Sequence, residues 1–204
     1  MASIINVDYE AIPGQANQIR ETAKQLNNEM TTIYNNISDM HNVWYGDRYN
    51  ELVKSFNKMI PELNDMLTLV VTEIPFALET IANNYSQADN GVNVTTPNNE
   101  GPNKISDLAI INDVGMRFLT SDVASVQNQV SANFRNAEDL MNKIESTYNT
   151  ISWSSEAADA FRERFTTCKA NIISSFENIE SQFTTLMNQT QDDIQAAESS
   201  NTVQ

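Results

Sequence analysis

One cysteine and one histidine serve a chain of 204 residues, and that scarcity removes whole classes of chemistry. A single thiol can form neither an internal disulfide nor a cysteine-based zinc cluster. Catalysis needs a nucleophile, a base or metal ligands converging in one pocket, and only His41 and Cys168 are available to supply them. His41 ends the first helical segment, where interaction with the helix C-terminus accounts for it. Cys168 falls on an apolar stripe, where a free thiol behaves as a small hydrophobe. The chain carries no Gly-rich phosphate loop, HExxH, EF-hand loop or CxxC pattern. No catalytic residue, metal site or cofactor is expected, and the protein reads as a non-enzyme.

Basic residues are also few. Twelve Lys and Arg stand against 27 Asp and Glu, a formal net charge of −15. Such a surface repels phosphate backbones and anionic lipid, so no nucleic-acid partner is expected. Long apolar runs are missing too: the longest, Met66 to Val71, is broken by Thr68. Stable membrane insertion is therefore not expected. The start, Met1 to Asp8, has no basic region before its first acid and does not read as a secretory signal peptide. Gly and Pro number five each, too few for many tight turns, which favours long helices.

The apolar residues supply the positive signal. Ile19, Ala23, Leu26, Met30, Ile33, Ile37, Met40 and Trp44 follow one another at alternating spacings of four and three. This is an a/d heptad seam, which needs a facing helix along its whole length. After Trp44-Tyr45-Gly46 the stripe resumes through Leu52, Phe56, Met59, Leu63, Met66, Val70, Ile74, Ala77, Ile81 and Tyr85, with Asp47 placed to cap the helix. Pro61 and Pro75 lie inside this pattern and predict bends rather than breaks.

A second copy follows, 153 − 44 = 109 residues on. Val126, Val130, Phe134, Ala137, Met141, Ile144, Tyr148 and Ile151 lead to Trp153. Phe161, Phe165, Cys168, Ile172, Phe176, Ile179, Phe183, Leu186 or Met187, and Ile194 return. One hairpin cannot bury both of its stripes alone, whereas two can close a bundle. The expected fold is all-α: two long helix-turn-helix hairpins in tandem forming a four-helix bundle, a single-chain pseudo-dimer. The division is residues 1–89, a Gly, Pro and Asn-rich linker over 90–103, and 104–204 with a frayed tail. Fourteen linker residues reach roughly 45 Å when extended, so the hairpins can pair within one chain or swap between two. Residues 104–120 suggest a short helix or an extended segment over the bundle, with the long helix starting at Thr120 or Ser121.

Trp44-Tyr45-Gly46 between two long amphipathic helices, followed by Tyr85-Ser86-Gln87-Ala88-Asp89 where the hairpin closes, resembles the WXG superfamily. These are small helical hairpins exported by type VII secretion systems, among them the early secreted antigenic target proteins. The second copy keeps Trp153 but has Ser155 in place of the Gly, and Ile194 and Glu198 in place of Tyr85 and Asp89. The resemblance implies export without a leader, antiparallel pairing of hairpins, and Trp153 set beside Tyr85 and Asp89. Tyr85, Asp89, Trp153, Trp44 and Gly46 are thus the expected secretion and recognition residues.

The function expected on this basis is that of a leaderless bacterial factor, made in the cytoplasm and exported to the medium or cell surface, acting by protein–protein recognition. Its partners would be the secretion-system ATPase and a co-secreted protein, and in solution it would be a monomeric pseudo-dimer or a swapped homodimer. The alternative is an adaptor or chaperone bundle for a larger secreted toxin. A helical pore-former, the third class, lacks an apolar segment able to insert.

Overall fold

The computed structural model describes residues 7–151, 153 and 155–201. Met1 to Asn6, and with them the amino-terminal end read above for a leader, lie outside the described residues, as do Ser152, Ser154 and 202–204. Helix α1 spans Ile12–Asp39 and is followed by a 3-10 turn, Met40–Asn42. Strand β1 is Trp44–Tyr45, α2 is Asp47–Thr68, and a π-helical turn, Leu69–Glu73, joins α2 to α3, Ile74–Asn90. An extended segment leads to β2, Arg117–Phe118, then to α4, Thr120–Asn149, and α5, Glu156–Ser200. The class is all-α, as expected.

Two compact units share these elements. The first comprises Met1–Asn28, Glu62–Lys104 and Ala137–Asn171. Its core is built by Ile12, Ile19 and Leu26 of α1, Leu63, Met66 and Leu78 of the second helical run, Met141 and Ile144 of α4, and Phe165 of α5. The second unit comprises Glu29–Pro61, Ile105–Asn136 and Ile172–Gln204. There Met30, Ile33, Ile37, Leu52, Phe56, Val130, Phe134, Phe176 and Phe183 are buried, with Phe134 and Phe176 stacked at 4.2 Å. Each unit thus packs helical segments from both halves of the chain into a four-helix core.

The heptad seam of α1 is buried without exception from Ile19 through Trp44. The second stripe is not. It holds from Leu52 to Ile74, after which Leu78, Ala82 and Ser86 are buried in place of Ala77, Ile81 and Tyr85. The π turn explains the change, because a turn closed by i→i+5 bonds takes up one extra residue and shifts every later position by one. Pro75 is the second residue after that turn, in the first turn of α3. Lacking an N–H, and with a ring that would crowd the carbonyl four residues back, it is accommodated by the wider turn. Pro61 sits inside α2 without breaking it. Asp47 is the first residue of α2 and not its cap. Gly46 takes the capping position, its carbonyl accepting from the Asn50 N–H at 3.2 Å.

The segment between α3 and β2 forms no helix, and it is tied down rather than free. In the first unit, Asn83 Oδ1 accepts from the N–H groups of Val94 and Thr95 while its amide donates to the Thr95 carbonyl. Asn27 grips Asn103 in the same two-way fashion, at 2.8 and 3.0 Å. In the second unit, Asn57 holds Leu108 at 2.9 and 2.8 Å, and Asn50 holds Ile111 at 2.7 and 3.0 Å. Each carboxamide presents one donor and one acceptor, as a peptide group does, and so pairs with an extended backbone. The spacing fits: seven helical residues from Asn50 to Asn57 advance about 10.5 Å, and three extended residues from Leu108 to Ile111 cover about 10 Å.

Candidate functional site

The two Trp turns are built differently. In the second unit, the Trp44 indole is fully buried, stacked on Phe183 at 5.9 Å and met edge-on by Phe118 at 5.7 Å and Tyr49 at 6.2 Å. Trp44 and Tyr45 pair antiparallel with Phe118 and Arg117. Gly46 then adopts a φ of 127°, a conformation an L side chain rarely takes, and starts α2. Arg48 binds Asp193 and Gln189 of α5. Trp44 is a core residue that closes this part of the second unit.

In the first unit, Trp153 is 9% exposed. Here a serine stands two residues after the Trp, where the first turn has its glycine. Ser155 Oγ accepts from the Ala158 N–H at 3.1 Å, capping α5. Ser154 lies outside the described residues. The two turns therefore start their helices by different devices, a glycine of positive φ at the first and a serine cap at the second.

Tyr85 and Asp89 lie on the last turns of α3, which ends in Gly91 at a left-handed φ of 74°, its N–H donating to the Gln87 carbonyl at 3.2 Å. Tyr85 is half-buried and Asp89 exposed. The one-residue shift at the π turn is what moves Tyr85 off the buried stripe, since Ser86 takes the core position. Asp89 accepts a hydrogen bond from the hydroxyl of Tyr9, which precedes α1. That bond, with burial and the charges of Asp89 and Glu10 behind it, raises the Tyr9 hydroxyl above its ordinary pKa. Tyr9 escaped the sequence reading because it stands outside both heptad stripes. Tyr85, Asp89 and Trp153 all belong to the first unit. Among the described residues, no ring contact joins Trp153 to Tyr85, and Asp89 is engaged by Tyr9.

The two residues weighed for catalysis have ordinary surroundings. His41 donates from Nδ1 to the Ser38 carbonyl at 2.8 Å, an end-of-helix contact. Cys168 is half-buried rather than fully inside the core. Burial, followed by the nearby charge of Glu62, pushes its thiol up and away from the reactive thiolate. No helix of the described residues is long and apolar enough to cross a membrane.

No curated protein and no solved structure matches the chain. Residues 4–90, which include Tyr9, the Trp44-Tyr45-Gly46 turn, Tyr85 and Asp89, match the family described as proteins of 100 residues with WXG. The first hairpin is thus similar to the WXG100 family, and the match ends at residue 90 of 204.

Proposed function

We propose that this protein is exported by a bacterial type VII-like secretion system and acts after export by protein–protein recognition rather than catalysis. The likeness of residues 4–90 to the WXG100 family supports a protein resembling a type VII secretion substrate. The observation that carries the finer reading is the end of α3, where Tyr85 is displaced toward the surface and Asp89 is exposed one turn later. A half-exposed aromatic ring beside a carboxylate offers rigid contact area with a polar handle, a composition suited to recognition. The secretion ATPase is the partner assigned to this face. The Tyr9 bond sets the orientation of Asp89 and ties the approach to α1 to the end of α3.

The test is export into the medium by a host carrying such a system. A Tyr85→Ala, Asp89→Ala double variant should keep its helical circular dichroism and melting temperature and remain inside the cell. Unchanged export of that variant would overturn the assignment. Tyr9→Phe leaves both motif residues in place and should reduce export only partly.

A further inference from the structure

Four of the six large apolar side chains exposed among the described residues fall on one short stretch: Ile110, Val114, Met116 and Leu119. Val114 is fully exposed and Met116 more than half. The stretch is an arch anchored at both feet. Asn50 grips Ile111 at one end. At the other, Arg117 and Phe118 pair with Tyr45 and Trp44, and the Leu119 N–H donates to the Val43 carbonyl at 2.9 Å. Fixed feet keep the arch from folding its apolar side chains inward, and Gly115, with a φ of 108°, turns it between Val114 and Met116. Against the arch lies an open cleft of about 780 Å³ within the second unit. Its cation, Arg48, is paired with Asp193, so the carboxylates of Asp47, Glu51 and Asp113 set its charge.

We propose that the arch and cleft form a docking surface for a segment of another protein that carries large apolar side chains next to Lys or Arg. The apolar side chains would cover Val114 and Met116, and the cation would enter the cleft between Asp113 and Glu51. Charge complementarity selects this occupant, because an acidic cleft beside an apolar lip rewards both features together and repels an acidic segment. A lip already held in place loses little conformational entropy on binding. The surface is independent of the export reading, since it uses neither Tyr85 nor Asp89.

Binding can be read on the full chain by fluorescence anisotropy of a labelled peptide, Lys-Leu-Lys-Phe-Lys-Leu. The comparison peptides are Lys-Ser-Lys-Ser-Lys-Ser and Glu-Leu-Glu-Phe-Glu-Leu. The first should bind and the other two should not. A Val114→Ser, Met116→Ser variant keeps the net charge and should weaken binding about tenfold or more. A Glu51→Gln, Asp113→Asn variant should weaken it and flatten its salt dependence. Both variants alter exposed side chains and should melt as the parent does. Equal binding of the Ser peptide, or indifference to the Val114 and Met116 changes, overturns the proposal. So does a concentration-dependent dimer that those changes dissolve, which would make the lip a contact between copies of this chain. Adsorption to phosphatidylcholine vesicles through the same two residues would assign it to lipid instead.

Discussion

The Tyr49 hydroxyl donates to the carbonyl of Ile37 at 3.1 Å, bridging the first Trp turn from the helix that follows it back to the helix that precedes it. The second turn carries the same device run the other way. There Tyr148, which precedes the turn, donates forward to the Ala158 carbonyl at 2.9 Å, and Arg162 lies over its ring at 5.4 Å. Each hairpin is thus pinned across its turn by one buried tyrosine, although the two turns share little sequence beyond their Trp.

These pins predict an alkaline limit to stability. Burial, followed by the charge of Asp39, pushes the Tyr49 hydroxyl up to about 12. Burial likewise pushes Tyr148 up to about 12, against the lowering effect of Arg162. A pKa raised in the folded state means that the stabilisation is complete below the unfolded value near 10 and is lost as pH rises through about 12. Urea unfolding should therefore show a stability falling over that window. Tyr49→Phe or Tyr148→Phe should each cost about 1 kcal/mol at neutral pH and weaken the alkaline fall. A profile unchanged in the Tyr49→Phe, Tyr148→Phe double variant would show that other groups govern it.

The different helix-starting devices predict unequal responses to glycine exchange. At Gly46 a Cβ would meet nothing closer than the Gly115 carbonyl at 3.9 Å, so the penalty of Gly46→Ala is conformational and not steric. A φ of 127° held by an L residue costs about 1–3 kcal/mol. At the other turn, Ser155→Gly should cost only a few tenths of a kcal/mol, and Ser155→Ala about 1 kcal/mol. Melting temperatures of the three variants rank them. Gly46→Ala proving milder than Ser155→Gly would contradict the account.

Much of this molecule is legible in the sequence, and the parts that are not share a cause. The 4-3 spacing from Ile19 to Trp44 marks a buried seam because helix periodicity is a local property that each residue expresses alone. The failure at Ala77, Ile81 and Tyr85 comes from one extra residue in a π turn, which a periodic pattern cannot register until the buried face has already moved. Pro75 was the available sign, and it suggests a bend as readily as a phase shift. Residues 90–103 read as a linker because Gly, Pro and Asn favour loops, and 104–120 as a short helix or an extended segment. What captures this segment are the carboxamides of Asn27, Asn50, Asn57 and Asn83, distant in sequence and ordinary in composition. The heptad interval between Asn50 and Asn57 is a usable clue, since it puts two carboxamides on one face of α2, where a part-buried amide needs partners.

The capture of that segment predicts local rather than global protection. The Leu108 and Ile111 amides should exchange slowly with deuterium in the parent protein, because Asn57 and Asn50 accept from them. Asn57→Ala removes both bonds to Leu108 and should speed its exchange by about tenfold or more, leaving the helical amides of α2 nearly unchanged. Fast exchange at Leu108 in the parent would mean that the clasp does not hold in solution.

In the first unit the same segment is held by charge. Arg20 and Glu79 form a bidentate pair at 2.7 and 3.0 Å with both side chains 5% exposed, and Asn98 closes the group by donating to Glu79 at 2.8 Å and accepting from Arg20 at 3.1 Å. Buried charges of this kind are costly to separate and cheap to replace together. Glu79→Leu or Arg20→Met alone leaves the partner ion or its buried polar neighbours unsatisfied, the more so because Arg20 Nε already has no partner among the described residues. Either single change should cost about 3–5 kcal/mol and release the Asn98 amide to fast exchange. Arg20→Met with Glu79→Leu should cost clearly less than the sum of the singles, and urea unfolding of the four proteins in the cycle measures the difference. Additive losses would mean that the pair holds the segment and the helices separately. A double variant as stable as the parent, with Asn98 still exchanging fast, would assign the ion pair to positioning the strap rather than stabilising the core.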